Sequence, residues 1–152
     1  LSLAKGICVG SKLPLIAIST LDAMSWGARN ALSDKDAWYC PMIDARRMEV
    51  YTALYDPEGI VLKPTAATVV DEQAFNEELA ERRIYFFGDG AAKCASVIQS
   101  DNAHFLEESY ISARNMGALL FNKFKQEEFE DLAYFEPNYF KSFIAGKPKK
   151  LI

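Results

Sequence analysis

An α/β fold built on one mixed sheet is what the sequence predicts, and three observations carry it. Residues 38 to 70 hold three consecutive extended apolar runs separated by turn residues, the pattern of an antiparallel meander. From residue 71 onward strand-like and helix-like patterns alternate, which is how strands join a sheet through crossover helices. Half of the 152 residues are apolar, enough to bury a core of ordinary domain size.

Taken in order, Leu3, Ala4, Ile7 and Cys8 recur at helical spacing and Gly10 stands where a helix would stop, so residues 1 to 9 read as the last turns of a helix. "LPLIAI" is a short apolar run of the buried-strand type. "STLDAMSWGARNAL" opens a helix with Ser19 three residues before Asp22, a capping-box arrangement. After "SDKD" the period changes. Residues 38 to 45 and 49 to 55 are apolar runs around a charged bend, "DPEG" is a turn, and "IVLKPTAATVV" is a third extended run. Asp71 can cap a helix in which Phe75 and Leu79 lie four apart on one face. "RRIYFFGDG" reads as strand and tight turn, Ala91 to Gln99 as a short helix, and "AHFLEE" as another strand. A longer helix from Ser112 to about Lys125 presents Ala113, Met116, Leu120 and Phe124 along one stripe.

The predicted order is therefore βββαβαβα preceded by an αβα remnant, in the manner of a ribonuclease-H-like, actin-type ATPase lobe. Three parts are expected: residues 1 to 33 as the remnant of a preceding lobe, 34 to 146 as the main lobe, and 147 to 152 as a loose tail. The aromatic stretch "DLAYFEPNYFKSF" is expected to fold back onto the main lobe.

Composition removes several kinds of chemistry. A net charge of −4 leaves no overall electrostatic footprint for nucleic acid, and the basic clusters are local: Arg46-Arg47, Arg82-Arg83 and Lys147 to Lys150. Cys8, Cys40 and Cys94 are odd in number and far apart in small or apolar surroundings, which suits reduced core thiols rather than a disulfide or metal framework. The single histidine, His104, begins an apolar strand and reads as a strand-end imidazole, so no metal and no cofactor is expected. No G-x-S-x-G elbow is present, and one histidine supplies no second base. The opening apolar run is cut by Gly10-Ser11-Lys12 well before a secretory core would end, and no window reaches the ~20 apolar residues of a membrane span.

Two places remain where function could sit. In "FFGDGAAK", Gly88, Asp89 and Gly90 turn a strand into a helix, where backbone N–H groups can approach a nucleotide. Asp89 caps such a helix well but repels phosphate, so a structural tight turn is the favoured reading. In the charged bend, period two puts Asp44 and Arg46 on one side and Arg47 and Glu49 on the other, so at least one ionic pair should face a neighbouring surface. Two arginines suit bidentate recognition of carboxylate or phosphate, whereas a solvated turn would need them only for loose pairing. The residues by themselves leave both readings standing.

"IDARRMEVYTALYD" resembles the signature hairpin of the TsaB (YeaZ) family, a run of the type D-A-R-[RK]-x-E-V-Y that takes in Asp44, Arg46, Arg47, Glu49 and Tyr51. "LSLAKGICVGSKLPLIAISTLDAM" looks like the helix, strand and helix that follow that family's glycine-rich loop. "FFGDGAAK" is similar to its G-[ND]-G-A turn, and "EPNYFK" to its C-terminal P-x-Y-[LF]-[RK]. The resemblance covers essentially the whole chain, with the hairpin its specific part. It implies a cytoplasmic, actin-like, non-catalytic subunit of the bacterial machinery that attaches threonylcarbamoyl to the adenosine beside the anticodon of certain tRNAs. It further implies a TsaD-like catalytic partner, a TsaE-like ATPase, tRNA met indirectly through the complex, and a homodimer in the full-length protein. In that picture the first hairpin points into an interlobe cleft, and Leu3, Ala4 and Ile7 belong to the end of a partner-binding helix. The family's N-terminal lobe and its GxGSFTG-type loop would lie upstream of Leu1. Residues 14 to 18 are then expected to lack their sheet neighbours, and residues 1 to 33 to pack against another chain or be held by a swapped partner. An older name, glycoprotease-like peptidase, marks the alternative of a peptidase or ATP-using actin-fold enzyme.

Overall fold

In the computed structural model, which describes residues 1–140, the meander forms as β1 (Ala37–Asp44), β2 (Glu49–Tyr55) and β3 (Val61–Val69). It is joined by β4 (Arg83–Phe87) and a three-residue β5 (Ala103–Phe105). The sheet runs β3-β2-β1-β4-β5, antiparallel across the meander and parallel from β1 outward through β4 and β5. The crossover from β3 to β4 carries α3 (Asn76–Glu81), and that from β4 to β5 carries α4 (Ala91–Cys94). The expected βββαβαβα order and mixed sheet are therefore present, as in a ribonuclease-H-like, actin-type lobe.

Alternation along the central strands makes two cores. Cys40, Met42, Val50, Leu54, Ile84 and Phe86 point to one face, where α3 and α4 cover them with Leu79, Ala91 and Cys94. Tyr39, Ala53, Tyr55 and Phe87 point to the other, where α2 (Thr20–Leu32) supplies Leu21, Met24 and Ala28. Both faces of β1, β2 and β4 are thus sealed, which is why these strands read as nearly continuous apolar runs. The buried Cys40 thiol is pushed up to about 12, chiefly by loss of solvation.

Several expectations need correction. "LPLIAI" is not a strand: among the described residues it makes a single bridge, Leu15 to Glu130, with the Glu130 N–H donating to the Leu15 carbonyl at 2.8 Å. A strand exists only through a laddered neighbour, and this segment has none. Ser19 stands at the N-cap of α2, but its hydroxyl makes no capping bond, and Asp22 instead accepts a 2.6 Å hydrogen bond from the Tyr55 hydroxyl. The tertiary partner displaces the local one. α1 (Ser2–Ser11) runs through Gly10 and stops at left-handed Lys12, burying none of its residues; Cys8 is half-buried there rather than in the core. Asp71 closes a turn on the Gln73 N–H before α3 and does not cap the helix.

Towards the C-terminus the predicted elements shorten. The helix after β4 is four residues long, and the strand at "AHFLEE" is three. The last helix divides into a 3-10 turn, Ala113–Met116, and α5 (Gly117–Lys125). Its stripe is only partly covered: Met116 and Leu120 are half-buried, while Ala113 and Phe124 are exposed. The aromatic tail folds back in part. Phe140 lies 6.2 Å from Tyr51 ring to ring, but Tyr134 and Tyr139 are 83% exposed. The expected loose tail at 147–152, Lys147 to Lys150, and the end of the main lobe after residue 140 lie outside the described residues.

Candidate functional site

At the closed end of the β1–β2 hairpin the chain reverses through Ala45 to Met48, and both Arg46 (φ 71°) and Arg47 (φ 49°) adopt left-handed backbone. For residues with a Cβ that conformation costs about 1 to 2 kcal/mol each, so neighbouring groups must hold it. The Asp44 carboxylate accepts the Arg46 N–H at 3.0 Å; the Ala45 N–H donates to the Glu49 carbonyl at 3.0 Å; and the Val70 N–H donates to the Met48 carbonyl at 2.7 Å. The residue just after β3 therefore braces the bend from the side.

The turn "GDG" braces it from below. Gly88 (φ 109°) passes so close to β1 that a Cβ would lie 2.3 Å from the Met42 carbonyl, and one on Gly90 would lie 3.0 Å from the Asp44 nitrogen. That proximity lets the Gly90 N–H donate to Met42 and lets Asp89 accept the Asp44 N–H at 3.0 Å. Asp89 thus terminates β1 and is not the helix cap expected of it: α4 has Gly90 at its N-cap and no side-chain cap bond. The Gly90 and Ala91 amides are spent within the turn and on β1.

Lys93 completes the arrangement. From α4 its ammonium bonds the Asp44 carboxylate and, at 2.8 Å, the Glu49 carbonyl, joining the last residue of β1 to the first of β2. The Lys93 bond, followed by the Arg46 N–H, holds the Asp44 carboxyl below its ordinary 3.8. Among the described residues the ion pair at this bend is Asp44–Lys93, formed with α4, where pairing among the bend's own charges is the expectation from the sequence. Arg46 and Arg47 are exposed, and among the described residues neither guanidinium forms an ion pair. Lys93 was missed in the sequence, although a lysine in the first turn of a helix, where the dipole favours an acid, was a usable signal.

Tyr51 belongs to the opposite side of the hairpin from Val50. With Ile43 and Thr65 it floors a cleft of about 660 Å3, closed by the start of α2 and by Phe135 and Phe140. Gly88, Asp89 and Gly90 are thus gathered with Asp44 and Glu49, and Tyr51 opens from the same hairpin onto the other face. Leu3, Ala4 and Ile7 stand apart on α1, which among the described residues makes no extended packing with another helix or strand. Leu3 is 79% and Ile7 54% exposed. His104 is exposed on β5 with its ring 5.7 Å from Tyr85, and among the described residues no three His, Cys, Asp or Glu side chains converge as metal ligands. No described helix is long and apolar enough to cross a membrane.

A family model described as TsaD: tRNA N6-adenosine threonylcarbamoyltransferase matches residues 1–148. Among solved structures, an uncharacterized protein with similarity to peptidase YEAZ from Pseudomonas aeruginosa superimposes with a TM-score of 0.72 at 20% identity, over 92% of this chain and 65% of that one. YeaZ from Pseudomonas aeruginosa gives 0.74 at 18% identity, over 91% of this chain and 64% of that one. At such identities the likeness is one of fold. The chain spans just under two thirds of the length of these structures. No curated protein matches it in sequence.

Proposed function

This chain belongs to the tRNA N6-adenosine threonylcarbamoyltransferase (TsaD) family, and from that premise we propose that it serves as a TsaB-type, non-catalytic subunit that supports a TsaD-like transferase in tRNA modification. The observation that supports this best is the bend. Asp44, Asp89 and Lys93 are consumed in holding two arginines in a costly backbone conformation with their guanidinium groups turned to solvent. Such pre-organisation suits recognition of a carboxylate or phosphate on another macromolecule. The hairpin's resemblance to the TsaB signature and the fold shared with YeaZ favour the same reading. A reaction centre would need a nucleophile with a base, and the sequence offers one histidine, exposed on the short strand β5.

In this reading α1 belongs with an N-terminal lobe, whereas α2, expected with it in residues 1–33, packs into the core of this sheet; the exposed Leu3, Ala4 and Ile7 face of α1 contributes to a homodimer or to contact with the transferase. A TsaE-like ATPase joins the same cytoplasmic complex, and tRNA is met through it. The test is reconstitution of the full-length protein with its TsaD-like partner, followed by pull-down and a tRNA modification assay. Arg46→Ala with Arg47→Ala should leave the melting temperature unchanged and weaken assembly or modification. Full modification by the double variant counts against the role of the bend. Peptide cleavage or ATP turnover by the isolated subunit, or a melting temperature raised by ATP or a divalent metal, would instead support the peptidase or ATPase reading.

A further inference from the structure

Among the described residues the sheet ends in two unpaired edges, and they differ. β5 is three residues long, a common way to blunt an edge, whereas β3 runs for nine. The first half of β3 is blunted by other means: Lys63, Pro64, and the register shifts it makes against Thr52, Leu54 and Tyr55. The second half, residues 66–69, carries none of these and pairs regularly with β2. Its free groups follow from the ladder. The Val70 N–H donates to the Met48 carbonyl at 2.7 Å and the Ala45 N–H to the Glu49 carbonyl at 3.0 Å, so the backbones of Met48, Val50 and Thr52 face β3 while those of Glu49 and Tyr51 face β1. Ala66 and Thr68, opposite Thr52 and Val50, therefore spend their backbone groups on β2. Those of Ala67 and Val69 point outward, and Val69 is 66% exposed.

On one face of this edge lies a groove of about 390 Å3 lined by Ala66, Thr68 and Phe75. Lys63 lines it before this run and Asp71 after it, so opposite charges flank Thr68 along the chain. Lys63 pairs with Glu78, yet its side chain stays 54% exposed. An open backbone with a cation before it and an anion after it is complementary to the same strand reversed. We propose that a second copy of this chain docks on this edge. The two β3 strands run antiparallel about a two-fold axis at Thr68, and Ala67 of each copy exchanges both backbone bonds with Val69 of the other. The two grooves then join on one face, Thr68 packs on Thr68, and Lys63 of each copy approaches Asp71 of the other. Pro64 and the shifts beside it keep registers that use the first half from forming. So short a ladder makes the association weak and concentration dependent.

Sedimentation equilibrium tests this on the protein carrying Leu3→Ser and Ile7→Ser, where α1 contributes nothing, so the outcome is independent of the function proposed above. A reversible monomer–dimer equilibrium is expected. Val69→Lys should weaken it roughly tenfold or more, because the two-fold sets the charge against the facing strand twice. Adding Ala67→Glu to Val69→Lys should restore it, since position 67 of each copy faces position 69 of the other. Hydrogen exchange of the unsubstituted protein gives a readout that no variant's folding can spoil: the Ala67 and Val69 amides should exchange freely when dilute and become several-fold more protected as concentration rises. A protein monomeric at every concentration, a dimer indifferent to Val69→Lys or not restored by the double variant, or protection of these amides that does not change with concentration overturns the proposal.

Discussion

The central strands and α1 carry similar apolar patterns and meet opposite fates. Met42, Val50, Ile84 and Phe86 are completely buried, whereas Leu3, Ile7 and Val9 of α1 are 54 to 79% exposed and α1 buries no residue. The difference lies in partners. Each central strand is laddered on both sides, and α2 on one face with α3 and α4 on the other encloses most of its side chains. A helix has no such guarantee: its own backbone is satisfied internally, and an apolar stripe only states that some surface is wanted. The bend lies between these cases, with a backbone locked by the core and side chains turned away from it.

Substitutions can sharpen that contrast. The largest effect is expected from Phe86→Ala, which removes a ring packed on Phe75 and Phe105 and should lower unfolding free energy by about 3 to 5 kcal/mol in urea denaturation. Gly88→Ala comes next, at about 2 to 3 kcal/mol, because it combines a left-handed backbone with a Cβ driven into the Met42 carbonyl. A melting temperature unchanged by this variant would mean that the turn does not clasp β1 as described. Lys93→Met should act locally: hydrogen exchange at the Arg46 amide should speed up several-fold while the core amides keep their protection.

Acid should reproduce the local effect. Because the folded Asp44 carboxyl lies below its ordinary 3.8, its contribution is present above that value and is lost as pH falls through the lower, folded one. Exchange at Arg46, corrected for its intrinsic pH dependence, should therefore rise on acidification in the unsubstituted protein and be insensitive in Asp44→Asn. The smallest effect on stability, within about 0.5 kcal/mol, is expected from Leu3→Ser with Ile7→Ser. The same pair should reduce self-association or transferase binding of the full-length protein in size-exclusion chromatography. A drop as large as that of Phe86→Ala would erase the distinction between core and α1.

The sheet was legible because its signals are local: three apolar runs, Pro and Gly at the "DPEG" turn, and the strand-then-glycine pattern at Phe87 and Gly88 each report on a few adjacent residues. The candidate site was legible as a location but not as a mechanism. Asp44, Arg46, Arg47 and Glu49 stand together in the chain, yet the group that organises them, Lys93, is 49 residues from Asp44. Asp89 was assigned to the helix after it and serves the strand before it, because β1 and β4 run side by side and bring the two within hydrogen-bonding reach.

By itself, the sequence determined which segments alternate for a two-sided sheet, where the chain must turn, and that two arginines crown one hairpin. Only the tertiary structure decided that Lys93 ties Asp44 to β2, that Asp22 serves Tyr55 and makes no cap with Ser19, and that Asp89 ends β1. The physical reason is that periodicity encodes the environment a side chain requires, while the identity of its partner is settled by which distant elements arrive there and compete for its few hydrogen bonds.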